Sequence, residues 1–84
     1  MVINYKLNKD LTGRAAAMLN WKLGTLNSSV RIVNKEEDRI INAKSLIGLL
    51  SGCFKTDSII EIVIDNEKEL EKIKEAFNEV GDKV

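Results

Sequence analysis

The segment Leu11-Thr12-Gly13-Arg14-Ala15-Ala16-Ala17-Met18-Leu19 is where an extended stretch stops and a helix starts, and the remainder of the chain reads outward from it. Ala15 to Leu19 are strong helix formers. Thr12 stands at the N-cap position, where its hydroxyl is expected to accept from one of the backbone N–H groups that a first helical turn leaves unpaired. Ala16, Leu19, Leu23 and Leu26 recur at spacings of three and four, the apolar stripe of an amphipathic helix from about Gly13 to Leu26. Arg14 lies one step inside it. Free N–H groups, the positive end of a helix dipole and a guanidinium thus converge on one spot suited to an anion.

Upstream, Val2, Ile3, Tyr5 and Leu7 give a short strand closed by Asn8-Lys9-Asp10. Downstream, Asn27-Ser28-Ser29 breaks the helix, and Val30 to Asn34 reads as a second strand with Val30, Ile32 and Asn34 on one face. Lys35-Glu36-Glu37-Asp38 is a polar turn, and Arg39-Ile40-Ile41-Asn42 completes a hairpin. Lys44 to Gly52 holds a short helix capped by Ser45 and ended by Gly52. After Lys55-Thr56-Asp57 comes the strongest strand, Ser58 to Ile64, rich in β-branched residues, with Ile60, Ile62 and Ile64 expected inside. The last helix runs from Glu67 to Val80 with Leu70, Ile73, Phe77 and Val80 as its stripe, ended by Gly81. The order βαββαβα predicts an α+β open-faced sandwich: a four-stranded antiparallel sheet with three helices on one face and the other face open.

Eighty-four residues with 44% hydrophobic and 31% charged side chains suit one small domain, residues 1–84, with one core. The formal charge of zero is unevenly spread: residues 1–34 carry five bases against Asp10, a net of +4, and residues 35–84 carry the balancing −4. That asymmetry either steers an acidic partner or reflects ordinary solvated faces. One cysteine, Cys53, makes no internal disulfide and fits a reducing cytoplasm. The start lacks the plan of a signal peptide, and no apolar run approaches the ~20 residues that span a bilayer. With no histidine there is no Ser/His triad, and one cysteine without clustered ligands makes no metal site. No cofactor motif, no membrane contact and no direct nucleic-acid role is expected; aromatic residues are only 5%.

The order of elements and two local motifs resemble the HPr phosphocarrier family of the bacterial sugar phosphotransferase system, over essentially the whole chain. Leu11-Thr12-Gly13-Arg14-Ala15-Ala16 stands where that family has Gly-Ile/Leu-His-Ala-Arg-Pro-Ala, its active-site loop. Asn42-Ala43-Lys44-Ser45-Leu46-Ile47-Gly48-Leu49-Leu50-Ser51 matches the family's Lys-Ser-Ile-Met-Gly-Val-Met-Ser segment, with Lys44, Ser45, Gly48 and Ser51 in register. Arg14 and Ala16 are kept. Thr12 replaces the histidine that carries phosphate, and Ala15 replaces the proline. Phosphoryl relay needs a nucleophilic imidazole nitrogen and a labile P–N bond. A threonine hydroxyl without an adjacent base is a poor nucleophile, and its phosphate ester is too stable to hand on.

The retained serine carries a different implication. Many Gram-positive members are phosphorylated at this serine by an ATP-dependent HPr kinase/phosphorylase, and the modified form is a corepressor for a catabolite-control transcription factor. The catabolite-repression HPr-like branch has lost the histidine and keeps this regulatory role. The resemblance therefore implies a non-enzymatic regulatory protein of the cytoplasm, switched at Ser45. The alternative is a genuine or degenerate phosphocarrier that docks phosphotransferase enzymes. Plain N-capping is compatible with either role for Ser45.

With the stripe facing inward, Arg14, Met18 and Trp21 fall near the opposite side of the first helix, Met18 and Trp21 three apart and neighbours there. In the family this side and the second helix dock protein partners, so Leu46, Ile47 and Leu50 are the expected second half of the surface. A Trp and a Met beside an arginine have the composition of a binding hot spot. The competing reading folds Trp21 over a helix edge as satellite core.

Overall fold

The computed structural model describes residues 1–84. In chain order the elements are strand β1 (Val2–Leu7), helix α1 (Gly13–Gly24), strands β2 (Val30–Asn34) and β3 (Arg39–Asn42), helix α2 (Leu46–Ser51), strand β4 (Ile59–Ile64), a 3-10 turn (Glu67–Glu69), helix α3 (Leu70–Asn78) and strand β5 (Gly81–Lys83). The sheet is antiparallel in the order β3-β2-β4-β1-β5. It has five strands where the sequence suggests four. Gly81 does not end the last helix; it begins the fifth strand, pairing with Leu7 beside the buried edge of β1.

Alternation along the strands separates the two faces. Ile3, Tyr5, Leu7, Val30, Ile32, Ile60, Ile62 and Ile64 point to the helices and are all buried. From the helices come Ala16, Leu19, Leu23, Leu49, Ile73, Ala76 and Phe77, so that sheet and helices share one core cluster. Burying each large side chain of this kind is worth about 1.5–3 kcal/mol. The opposite face stays open, with Val2, Lys6, Arg31, Ile40 and Ile59 exposed. The α+β open-faced sandwich holds, with three helices on one side.

Two helix ends differ from expectation. α1 stops at Gly24 instead of Leu26, because the Thr25 N–H turns back to Leu23 O and its hydroxyl donates to Lys22 O at 2.9 Å. Leu26 is buried even so. The last helix is shorter than Glu67–Val80: its first turn is 3-10, capped by Asn66, whose side-chain oxygen accepts from Lys68 N at 3.0 Å. The Val80 carbonyl accepts instead from Asn8 N at 2.8 Å, which steers the chain back alongside β1.

Side chains tie the loops down. Asn34, buried at the end of β2, donates its amide to the carbonyls of Gly52 (3.1 Å) and Cys53 (3.3 Å), fixing the hairpin to the end of α2. The Glu69 carboxylate accepts from Asn27 N, Ser28 N and the Ser28 hydroxyl, joining the start of α3 to the loop after α1.

Candidate functional site

The loop entering α1 is anchored on both sides of Thr12. Leu11 is buried and donates its N–H to Phe54 O at 2.9 Å. The Asp10 carboxylate accepts from the amide and hydroxyl of Thr56 at 2.7 and 2.8 Å, and these bonds hold its carboxyl below the ordinary range. Thr12 occupies the N-cap position with extended backbone, but its side chain makes no capping hydrogen bond; its carbonyl accepts from Ala15 N at 3.1 Å. This corrects the expectation of a hydroxyl cap. The physical reason lies in Gly13, whose φ of +49° is in the region that glycine alone enters freely. A left-handed first residue takes the following N–H groups out of line with the Thr12 side chain. Thr12, Gly13 and Arg14 are exposed and Ala15 is half-buried.

Ser45 is an N-cap in full. Its Oγ accepts from Gly48 N at 3.1 Å, and its carbonyl accepts from Leu49 N at 3.0 Å. The approach is fixed by Asn42, whose carbonyl takes Ser45 N at 2.9 Å and whose side chain takes Lys44 N at 2.9 Å. Lys44 reaches back with Nζ to the Leu26 carbonyl, just past the end of α1. A cation there suits the negative end of the α1 dipole. Gly48 is packed closely, since a Cβ on it would lie 3.3 Å from Asn42 O and 3.4 Å from Ser45 Cβ.

These contacts set Thr12 and Ser45 at opposite ends of α1. The Thr12 loop bonds to Phe54, beyond the C-terminus of α2, whereas the Ser45 turn bonds to Leu26, beyond the C-terminus of α1. The 12 residues of α1 span about 18 Å at the usual helical rise. The structure does not bring the two hydroxyls together.

Between the two ends, apolar side chains stand in the open. Trp21 is 69% exposed and Ile47 79%, with Met18, Leu46 and Leu50 also exposed. Trp21 as satellite core is thereby overturned. α1 and α2 pack side by side, so both helices contribute to one side of the molecule. Arg14 and Met18 also line a hollow between α1 and α3 together with Lys9 and Glu79, and Trp21 borders a second hollow beside it. Sequence reasoning did not single out Lys9, Ala76 or Glu79. Lys9 lies in the loop before α1, Ala76 is buried beside Ile73 and Phe77 on the inner face of α3, and Glu79 follows the last residue of that helix, so no shared sequence pattern marks them. No three His, Cys, Asp or Glu side chains cluster to hold a metal, and no helix is long and apolar enough to cross a membrane.

The comparisons with known proteins agree with this geometry. The profile of the family described as "PTS HPr component phosphorylation site" matches residues 3–80. A search of curated protein sequences finds no match. Among solved structures, the histidine-containing phosphocarrier protein of Mycoplasma superposes with a TM-score of 0.80 at 20% identity, covering 94% of this chain and 93% of that one. The phosphocarrier protein HPr of Bacillus anthracis gives 0.77 at 22% identity, covering 95% and 93%. The Bacillus subtilis catabolite repression protein Crh, whose crystal structure is described as a domain-swapped dimer, gives 0.67 at 26% identity, covering 83% and 78%.

Proposed function

The chain belongs to the HPr family of the phosphotransferase system, a family of phosphocarriers and not of enzymes, and from that premise we propose that it acts by binding and regulation, with phosphorylation of Ser45 by an HPr kinase as its switch. Members of this family work with phosphotransferase proteins. This chain has no histidine anywhere, and Thr12 fills the loop position at which the family phosphorylates one. The Thr12 hydroxyl makes no hydrogen bond that would draw off its proton, and a threonyl phosphate once made is a stable ester. Relay through this loop has no chemical vehicle.

The observation that carries the reading is the preserved Ser45 turn. The serine is half-buried, fixed by Asn42, Lys44 and Gly48, and set at the first turn of α2. A phosphate there adds about −1.5 to −2 of charge at the start of α2, where the N–H groups of the first helical turn favour an anion. The exposed Met18, Trp21, Leu46, Ile47 and Leu50, with Arg14 at the end of α1, form the docking side for the kinase, a catabolite-control transcription factor or phosphotransferase enzymes. In this reading the protein works in the cytoplasm, where those partners are found. Its action needs no cofactor.

Intact-mass measurement after two separate incubations tests it. ATP with HPr kinase should add one acid-stable phosphate that Ser45→Ala abolishes. Phosphoenolpyruvate with the first phosphotransferase enzyme should add nothing. A mass gain only in the second mixture would reverse the assignment.

A further inference from the structure

We propose that the hollow between α1 and α3 at the Arg14 end is a binding site for a small amphipathic anion: one carboxylate or phosphate on a medium-chain apolar body. The hollow has a volume of about 410 Å3, within the ~300–1,000 Å3 typical of small-molecule sites. Its lining divides by chemistry. Ala15, Leu19, Ala76 and Val80 form an apolar floor, and Met18, 45% exposed, forms a flexible wall. Lys9, Arg14 and Glu79 stand at the rim.

The space exists because α1 and α3 meet there through alanines. Ala15 and Ala76 each offer a single methyl where longer side chains would close the gap. The charges at the rim do not cancel one another. Glu79 is already paired at 2.5 Å with Lys22, which lines the neighbouring hollow beside Trp21. Lys9 and Arg14 are in no ion pair. Two unanswered cations over an apolar floor select a ligand with both characters. An inorganic anion gains nothing from the floor, and a neutral hydrocarbon gains nothing from the rim. The site is separate from Ser45, which lies toward the other end of α1, but it shares Arg14 and Met18 with the docking side, so a bound ligand would sit where a protein partner docks.

Titration of the full chain with sodium octanoate, followed by amide nitrogen–proton NMR, tests the site directly. Saturable shifts are expected at Ala15, Met18, Leu19, Ala76 and Val80. Octanol and acetate should each bind at least about tenfold more weakly. The Lys9→Gln/Arg14→Gln double variant should weaken octanoate about tenfold while leaving octanol unchanged. Ala15→Leu, at a half-exposed position, should fill the hollow and abolish binding of both, with a thermal melt confirming that the variant is folded. Octyl phosphate in place of octanoate identifies the preferred head group, and saturation by either supports the proposal. Shifts that fail to saturate, that gather on the open sheet face at Val2, Ile40 and Ile59, or that persist undiminished in the double variant would overturn it. None of these readouts involves Ser45 or a kinase.

Discussion

The Ser45 hydroxyl oxygen accepts the Gly48 N–H at 3.1 Å, while Thr12, in the equivalent place at the start of α1, makes no such bond. Two N-cap residues of similar chemistry are thus used differently. Capping bonds of this kind are worth about 1 kcal/mol, with a range of about 0.5–2. Ser45→Ala should therefore cost about 1 kcal/mol, equivalent to about 4–8 °C in melting temperature for a domain of this size. Thr12→Ala should stay within about 0.5 kcal/mol of the parent. Thermal and urea unfolding of both variants measures the contrast, and equal losses would mean that the Thr12 hydroxyl caps α1 after all.

Trp21 makes a second case because its exposure decides its role. At 69% exposed it contributes little to the core, so Trp21→Ala should change stability by no more than about 0.5 kcal/mol. Truncating an aromatic anchor in an interface commonly costs 2 kcal/mol or more of binding, roughly a 30-fold loss of affinity. Calorimetry with HPr kinase or a catabolite-control repressor should show that split. A large stability loss with unchanged affinity would remove Trp21 from the docking side.

Acid should loosen the joints between loops. The Asp10 carboxyl is lowered chiefly by the Thr56 N–H, and the Glu69 carboxyl chiefly by the Ser28 hydroxyl together with the Asn27 and Ser28 amides. A carboxylate whose folded value lies below its unfolded one stabilises the fold above the unfolded value. That stability is lost as pH falls through the folded value. The ordinary values are 3.8 for Asp10 and 4.5 for Glu69. The contribution of both should be intact at neutral pH, begin to fall near those values and be gone below the lowered ones. Denaturant midpoints measured across this range should fall less steeply for Asp10→Asn and Glu69→Gln than for the parent. Unchanged steepness in both variants would contradict the assignment.

The fifth strand depends on the absence of a side chain. A Cβ at Gly81 would lie 2.5 Å from the Lys6 carbonyl oxygen and 3.1 Å from its carbon, both backbone atoms that cannot rotate away. Gly81→Ala should cost about 1–3 kcal/mol. Hydrogen exchange should quicken at Asn8, whose N–H donates to Val80 O, and at residues 81–84, where Val84 N donates to Asn4 O, with the β2–β4 pairing and the Leu7 N–H bond to Ser58 unaffected. A variant as stable as the parent would mean that β5 adds nothing to the sheet.

The strands and helices with apolar periodicity were legible because burial imposes that periodicity. Ile60, Ile62 and Ile64 alternate, and Ala16, Leu19 and Leu23 recur every three or four residues. β5 was not legible: Gly81-Asp82-Lys83 has no apolar alternation and is held only by main-chain pairing to β1. Nor was the 3-10 turn at Glu67–Glu69, which depends on the Asn66 cap and on Glu69 reaching across to Ser28. The Ser45 turn could be read because cap residue and helix are adjacent in sequence. Local residue preference points to a Thr12 hydroxyl cap that the structure lacks, because such preference takes no account of the positive φ of Gly13. The hollow between α1 and α3 joins Lys9 to Glu79, a separation that no local pattern spans.

Whether this chain can pass a phosphoryl group onward decides between regulation and relay. The most direct measurement reconstitutes the sugar phosphotransferase relay with this protein in place of the histidine-bearing carrier and follows formation of sugar phosphate from phosphoenolpyruvate. No product above the carrier-free background is expected, for the parent and for Thr12→Ala alike, with a Thr12→His variant serving as the probe of whether the loop geometry still admits transfer. Sustained, enzyme-dependent sugar phosphorylation by the parent chain, lost in Thr12→Ala, would contradict the regulatory reading.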